Sequence, residues 1–388
     1  MRQNKSFILR EIANIPYLLP YGQMMADRKH GVQVNATGAY LWKLLEQECT
    51  MEELFRCSAE YYEIPSEDLT EFQNDIRQFV KQLISYGIVI DEPYVNTNLH
   101  SVTLSIAGLG VKLLGPAQAF PQEFCPFEAA GCEAIHQEVL FQPGFPPARQ
   151  NGSLLIRNDE LMVLENSEGY ILLFPQAKHI VEIHLSFDGS KVLCYCLPPY
   201  DEDFHYDIFH ALRLTYLYLS QKKGMVALHS ASLLYKEKAW LFSGHSGMGK
   251  STHTNLWKKL YKITLLNGDL NLLAFENGQP VVHGIPWCGT SEICTTVTVA
   301  LGGIILLNQA SSDRIEKLPE DKKQLLVSQR LISPAWTTDL FDRNMKIVKD
   351  IVSKIMVCKL HCTKEPTASE VMKKYIDCYL DKLKKSGD

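Results

Sequence analysis

The 388-residue chain has no apolar run approaching the ~18 residues that a membrane span requires, which speaks against an integral membrane protein. The apolar stretch behind Met1-Arg-Gln-Asn-Lys5 is too short for a secretory signal peptide. Eleven cysteines are scattered without a CxxC pair, so reduced thiols and a cytoplasmic location are expected. Cys194 and Cys196 alternate along a strand pattern and share one face, which packing explains without a metal or a disulfide. The net charge of −5 provides no general attraction to nucleic acid or to an anionic membrane. Lys382-Leu-Lys-Lys385 suits a solvated helix end. There is no internal repeat and no low-complexity segment.

With 46% hydrophobic and 21% charged residues, the chain has the composition of a globular protein large enough for two or three domains. Residues 1–92 read as a first unit. Phe7–Glu11, Ile15–Pro20 and Val32–Val34 are strand-like, Asn35 and Thr50 cap two helices, and Ser66 or Asp68 opens a third. In that helix Leu69, Phe72, Ile76, Phe79, Val80 and Leu83 follow helical spacing up to Tyr86-Gly87. Strands followed by three short helices suggest a winged-helix-like module. Residues 91–98 read as a linker.

Residues 99–224 form a β-rich lobe, expected to be part of the catalytic domain. Leu154–Ile156, Leu161–Leu164, Tyr170–Phe174, Ile180–Leu185 and Val192–Leu197 read as successive antiparallel strands, followed by a helix over Phe204–Leu219. The stretch 225–388 opens with a strand Met225–Leu228 ending at His229, then a hairpin through Tyr235–Lys238. Further strands are expected at Ile263–Leu266, Leu270–Phe275, Pro280–His283, Ala300–Leu307 and Met356–His361. Helices are expected near Asp321–Ser328, Asn344–Ile355 and Ala368–Leu383.

Gly244–Ser251 reads GHSGMGKS, a full G-x-x-x-x-G-K-[ST] phosphate loop between an apolar strand and a helix-forming run. Its glycines let backbone N–H groups wrap a phosphate. The expected nucleotide-binding residues are Gly244, His245, Ser246, Gly247, Met248, Gly249, Lys250, Ser251 and Thr252, with His245 a spacer in the loop. Lys250 would reach the β- and γ-phosphates and the Ser251 hydroxyl would ligate Mg²⁺.

Asp269 follows an apolar run about twenty residues later. Its carboxylate suits a Mg²⁺ ligand or a general base, and equally a turn in Asn267-Gly268-Asp269. Strand pairing would bring His229 near the nucleotide, where an imidazole can bond phosphate or tune Asp269; a packed histidine is the alternative. His283-Gly-Ile-Pro-Trp-Cys-Gly289 suggests a rigid turn, carrying either an exposed aromatic wall or a buried Trp287. Cys288 has no neighbouring base to make it a nucleophile.

Leu228-His-Ser-Ala-Ser232 together with Leu241-Phe-Ser-Gly-His-Ser-Gly-Met-Gly-Lys-Ser-Thr-His-Thr-Asn-Leu-Trp257 resembles the HPr kinase/phosphorylase-like group, which shares its nucleotide core with bacterial-type phosphoenolpyruvate carboxykinases. The stretch is most similar to peptide-modifying kinases of that group, whose pattern continues into an acidic turn and a GxPWxG segment matched by His283–Gly289. The resemblance covers about residues 100–388. It implies a mixed-sheet core, with ATP and Mg²⁺ as cofactors and a hydroxyl acceptor. Gly244–Thr252 would hold the triphosphate, His229, Lys250 and Asp269 would be catalytic, and Ser251 and Asp269 would hold the metal. Two departures stand out. Gly268 occupies the place of a second acidic residue, and Val281-Val-His-Gly284 lacks the glutamate of the family's signature segment.

Val32-Gln-Val-Asn-Ala-Thr-Gly-Ala-Tyr-Leu-Trp42 and Leu83–Ile88 resemble the PqqD-like peptide-recognition domain. That resemblance implies leader-peptide binding by strand addition, in a groove between Val32–Val34 and helix 68–86. A DNA-binding winged helix is the rival, but Glu71, Asp75, Arg77 and Lys81 leave that helix without a basic excess.

The expectation is a cytoplasmic α+β or α/β kinase phosphorylating a Ser/Thr hydroxyl of a ribosomally made precursor peptide. Nucleic acid and membrane are not expected partners, and a homo-oligomer is left open. The alternatives are a nucleotide-gated peptide chaperone without catalysis, and an HPr-type carrier-protein kinase.

Overall fold

The computed structural model describes all residues except 27, 28, 48, 66, 91–98, 130, 133, 147–151, 246, 387 and 388. The expected linker 91–98, Ser66 as a helix opener and the loop residue Ser246 therefore lie outside the described residues.

The N-terminal part comprises β1 (Arg2–Gln3), β2 (Phe7–Ile12), β3 (Ile15–Pro20), α1 (Gln23–Ala26), β4 (Val32–Gln33), α2 (Ala36–Leu44), α3 (Met51–Tyr61), α4 (Leu69–Ser85) and β5 (Val89–Ile90). Local signals set most of these limits. The Asn35 side chain accepts a hydrogen bond from Gly38 N, and Thr50 closes a capping box with Glu53. Asp68 occupies the N-cap of α4 without a side-chain bond. Helical spacing buries Ile76, Val80 and Leu83 of α4 against Leu18, Leu41, Trp42 and Leu54. β4 is the edge of the β2-β3-β4 sheet, and Val34 just beyond it and the Phe79 ring of α4 both crowd Gly38. The short α1 and the β1–β5 pair, which joins the two ends of this unit, were not expected from the sequence.

A second sheet contains β6 (His100–Ile106), β7 (Leu109–Gly115), β8 (Ile135–Pro143), β9 (Ser153–Arg157), β10 (Met162–Glu165), β11 (Gly169–Leu173), β12 (Ile180–Ser186) and β13 (Lys191–Cys196). Its order is β6-β7-β8-β13-β12-β11-β10-β9. The strands β9 to β13 are antiparallel neighbours, as their turn spacing indicates. β8 instead pairs in parallel with both β7 and β13, so the sheet is mixed. Helix α5 (Glu202–Lys222), capped by Asp201, covers one face. Cys194 and Cys196 are both buried on that face.

The last part holds β14 (Val226–Tyr235), β15 (Lys238–Ser243), α6 (Lys250–Tyr261), β16 (Leu265–Asn267), β17 (Leu270–Glu276), β18 (Gln279–His283), β19 (Thr298–Gln309), β20 (Arg314–Lys317), α7 (Glu320–Ser328), α8 (Thr338–Val352), β21 (Met356–Cys362) and α9 (Pro366–Ser386). Two long strands change partners along their length. β14 pairs with β17 up to His229 and with β15 from Ser230 onward. β19 pairs with β18 over residues 298–300, then with β15 and β21 on its two edges. The pairings close a ring β15-β14-β17-β18-β19. His229 is thus not the end of its strand, as expected, but the point where the strand exchanges neighbours.

Three limits differ from expectation for local reasons. Thr337 caps α8, so that helix starts six residues before Asn344. Lys262 turns left-handed (φ 55) at the end of α6, which delays β16 to Leu265. Helix α9 begins two residues earlier, at Pro366, where proline suits a first turn. The chain is a mixed α+β structure with helices at its N-terminus and a large mixed sheet. One apolar cluster joins the second sheet and α5 to Ala227, Leu270, Ile285, Trp287 and Leu340 of the last part.

Candidate functional site

β15 leads into the loop Gly244–Gly249, and α6 starts at Lys250. Gly249 caps that helix with φ 94, a conformation that a side chain strongly disfavours. Gln309 donates to Gly247 O (3.0 Å), and Met248 N to His245 O (3.1 Å), which tie the loop to β19 and to itself. Helix α6 has no acidic residue in its first turn, so its N-terminal N–H groups and dipole face the cleft with no resident negative charge from that turn.

The cleft has a volume of about 350 Å³ and is lined by His229, Gly247, Gly249, Lys250, Ser251, Thr252, Gly268, Asp269, Cys288, Thr290 and Ser291. That size is within the range of small-molecule sites. Lys250 Nζ is 2.7 Å from His229 Nε2 and donates to Gly244 O at 3.3 Å. His229 Nδ1 lies 3.2 Å from Asp269 Oδ1, but off the hydrogen-bonding direction, so this buried nitrogen lacks a well-aligned partner. The backbone around the imidazole is held on three sides. His229 N donates to Arg330 O (2.9 Å), Ser243 Oγ to His229 O (2.7 Å) and Ser230 N to Asp269 O (2.9 Å).

Asn267 builds the turn that presents Asp269. Its Oδ1 accepts from Asp269 N (2.9 Å) and Leu270 N (3.0 Å), while its amide donates to Ile285 O (3.2 Å). Gly268 is sterically required, because a Cβ there would overlap both Oγ and Cβ of Ser291. Ser291 is itself fixed, donating to Cys288 O (2.7 Å) and accepting from Ile293 N (3.2 Å). Ser291 therefore fills the space that a second acidic side chain would need.

Charge in the site is predominantly positive. Burial, then the Lys250 charge, holds the His229 pKa below its usual value, with Arg330 acting in the same sense and Asp269 against it. Burial also lowers the pKa of Lys250 and of Arg330. The Arg213 guanidinium on α5 is close enough to feel Asp269. Lys250 and Arg213 thus feel the Asp269 carboxylate, and Arg330 bears on Lys250 and His229, a cationic environment suited to a polyanionic ligand. Ser251 and Asp269 contribute hard oxygens appropriate to Mg²⁺. Among the described residues no three His, Cys, Asp or Glu side chains form a metal cluster, so phosphate and water oxygens would complete such a coordination shell.

His229, Lys250, Ser251, Thr252 and Asp269 all reach this cleft, as do Gly247 and Gly249. Gly244 meets Lys250 through its carbonyl, and a Cβ on it would touch Met248 rather than a ligand. His245 is more than a spacer, since its Nδ1 lies 3.1 Å from Arg330 Nη1. Trp287 is buried, donating from Nε1 to Phe209 O (2.8 Å), so the exposed-wall alternative is excluded. Arg330, Arg213 and Ser291 were not legible as site residues. Arg330 and Ser291 carry no motif, and the one sequence signal for Arg213 is a cation one helical turn from Phe209 on an otherwise apolar stripe.

Residues 23–89 match the family model described as Coenzyme PQQ synthesis protein D (PqqD). Among solved structures, the chain is similar to the Hpr(Ser) kinase/phosphatase from Coxiella burnetii with a TM-score of 0.24 and 12% identity. That match covers 41% of this chain and 98% of that one. No curated protein matches the chain.

Proposed function

We propose that the chain is a Mg²⁺- and ATP-dependent kinase that phosphorylates a Ser or Thr hydroxyl of a precursor peptide held by its N-terminal unit. The observation carrying this reading is the line of Lys250, His229 and Asp269 across the mouth of a GKS loop at a helix N-terminus. Gly247–Thr252 would bind the triphosphate through backbone N–H groups, with Lys250 placed against the transferred phosphoryl group. Ser251 and Asp269 would hold Mg²⁺, which supplies charge neutralisation between the phosphates when bound. Asp269 would take the proton of the attacking hydroxyl, and His229 would hold Lys250 and Asp269 in register.

The PqqD match over residues 23–89 supports peptide binding by the N-terminal unit. β4 is an edge strand beside α4, so an extended leader could add to it while the segment to be modified reaches the cleft. Holding the leader raises the effective concentration of the acceptor hydroxyl. A second reading, a nucleotide-gated peptide chaperone, is favoured by Ser291 filling the place of a second carboxylate.

Purified protein, Mg-ATP and candidate precursor peptides, read by intact-peptide mass spectrometry, separate the two. A gain of about 80 Da, lost in Lys250→Ala, is expected for the kinase. ATP-modulated peptide binding with unchanged mass would replace it with the chaperone.

A further inference from the structure

Three helices of the N-terminal unit meet in an aromatic patch that its core hardly uses. Tyr40 of α2 stacks on Tyr61 at the end of α3, with ring centroids 4.0 Å apart and an interplanar angle of 16°. Tyr62 stands edge-on to both, at 5.7 and 4.9 Å, and Phe72 of α4 closes the group 6.3 Å from Tyr62. Of the four rings only Phe72 packs against the apolar core of the unit. Tyr61 stays 62% exposed although Tyr40 covers one of its faces, so its other face meets solvent. The turn behind Tyr62 is fixed by Glu63 in a left-handed conformation (φ 49) and by Ile64 N donating to Ala59 O (3.0 Å), which holds the rings in place.

The charge around these rings has one sign. Between Cys57 and Ile76 the chain carries six carboxylates and no lysine or arginine. Glu60, Glu63 and Glu71, all exposed, flank Tyr61, Tyr62 and Phe72 in the chain. Arg77, the first cation beyond them, is engaged elsewhere, lying over the Phe55 ring at 5.2 Å and donating to Asn74 Oδ1 (2.9 Å). An open tyrosine face in a negative field favours a cation. We propose that the patch binds a lysine or arginine side chain of the precursor peptide, its charged head on the open face of Tyr61 and within the field of Glu60 and Glu63. This rests on the reading of the N-terminal unit as the peptide holder. Phe72 and Phe79 lie seven residues apart on nearly one face of α4, about 10 Å along its axis. The Phe79 ring reaches Gly38 beside Val34, next to the β4 edge. At about 3.3 Å per residue, the basic side chain is expected about three to six positions outside the peptide segment paired with β4.

The test measures binding of fluorescein-labelled candidate precursor peptides, and of the probe acetyl-Gly-Arg-Gly-Arg-Gly-amide, to the full chain. Gln33→Pro controls for strand addition: Val34 N donates to Pro16 O, so the neighbouring N–H of Gln33 points to the free edge of β4. Peptide binding is expected to weaken about tenfold in Tyr61→Leu and in the double variant Glu60→Gln/Glu63→Gln, while Tyr61→Phe keeps the affinity of the parent. Replacing the basic residues of the peptide by glutamine should lose the same factor against the parent and nothing further against Tyr61→Leu. In protein labelled with 3-fluorotyrosine, the probe should shift the fluorine signal that Tyr61→Phe removes, and the citrulline counterpart of the probe should not. Peptide binding lost in Gln33→Pro but equal in Tyr61→Leu and the parent would overturn the proposal and leave the peptide reading intact. A chain that binds none of the peptides removes the peptide reading, and the fluorine signal then decides the patch: unmoved by the probe, it sinks the cation site as well. A dimer dispersed by Tyr61→Leu in sedimentation would assign the patch to a second copy of the chain instead.

Discussion

Lys250 Nζ stands 2.7 Å from His229 Nε2, and the opposite ring nitrogen faces Asp269 Oδ1 at 3.2 Å. An ammonium has only donors, so Nε2 must accept and the proton of the neutral ring sits on Nδ1, the nitrogen nearer the carboxylate although not aligned with it. The lowered pKa of His229 agrees with that neutral state.

Replacing the imidazole should therefore impair chemistry more than binding. His229→Ala is expected to lower phosphoryl transfer by about 10²-fold, the scale of loss when a positioning group is removed and the reacting groups shift. Mg-ATP affinity, measured by calorimetry, should change less than tenfold, because loop N–H groups and Lys250 remain. Because burial and the Lys250 charge depress its pKa, His229 is less protonated than an ordinary imidazole at any given pH, so its protonation should limit the rate at more acidic pH than an unperturbed histidine would. An equal loss of ATP affinity and rate would place His229 in binding alone.

The Gly268–Ser291 packing makes a prediction about the absent carboxylate. Gly268→Asp should destabilise the protein by about 1–3 kcal/mol, since the new side chain collides with a serine fixed by two hydrogen bonds. Adding Ser291→Gly should recover part of that loss by opening the space. Urea unfolding of the single and double variants gives the coupling directly. If the single variant is as stable as the parent, the loop can move aside.

Elements with local signals are legible in the sequence itself. Asn35, Thr50 and the Gly249–Lys250 start of α6 are set by caps and a loop whose chemistry lies within a few residues. What is not legible depends on distant partners. β8 lies between β7 and β13 through parallel pairings that no turn announces. His229 reads as a strand end because its strand changes neighbours there, a fact carried by β17 and β15 rather than by β14. Ser291 under Gly268 and Arg330 against His245 are long-range contacts, and the sequence shows one side of each.

The division of labour between the N-terminal unit and the cleft can be tested kinetically. Removing residues 1–92 should raise the KM for a leader-bearing peptide by roughly 100-fold, as expected when intramolecular delivery is lost. The KM for a leaderless peptide should be unchanged. An equal rise for both would show that the unit supports the catalytic part structurally instead. Thermal melting of the truncated chain separates that outcome, because a structural role lowers Tm.

Acid should destabilise the protein in two separate windows. His253 and His283 are buried, and burial is the leading cause that lowers the pKa of each, as it is for His229. In the unfolded chain these rings titrate near pH 6.5, so as pH falls the unfolded state takes up protons first. Stability contributed by neutral histidines is therefore complete above about pH 7 and declines progressively below it. Asp188 and Asp377 behave differently, being held at about pKa 2 by hydrogen bonds from Ser186 and Ser190 and from Lys236 and Lys373 respectively, in the latter case against desolvation. Their contribution is lost only between about pH 4 and pH 2, below the histidine window. The urea midpoint should drop between about pH 7.5 and 5.0, and His253→Gln should flatten that drop, because its ring nitrogen Nδ1 is buried without a partner. His283→Gln should flatten it as well, although loss of the 2.8 Å bond to Thr298 lowers stability at every pH. A midpoint independent of pH across this interval would mean that the buried histidines admit water and proton on folding as freely as they do in the unfolded chain.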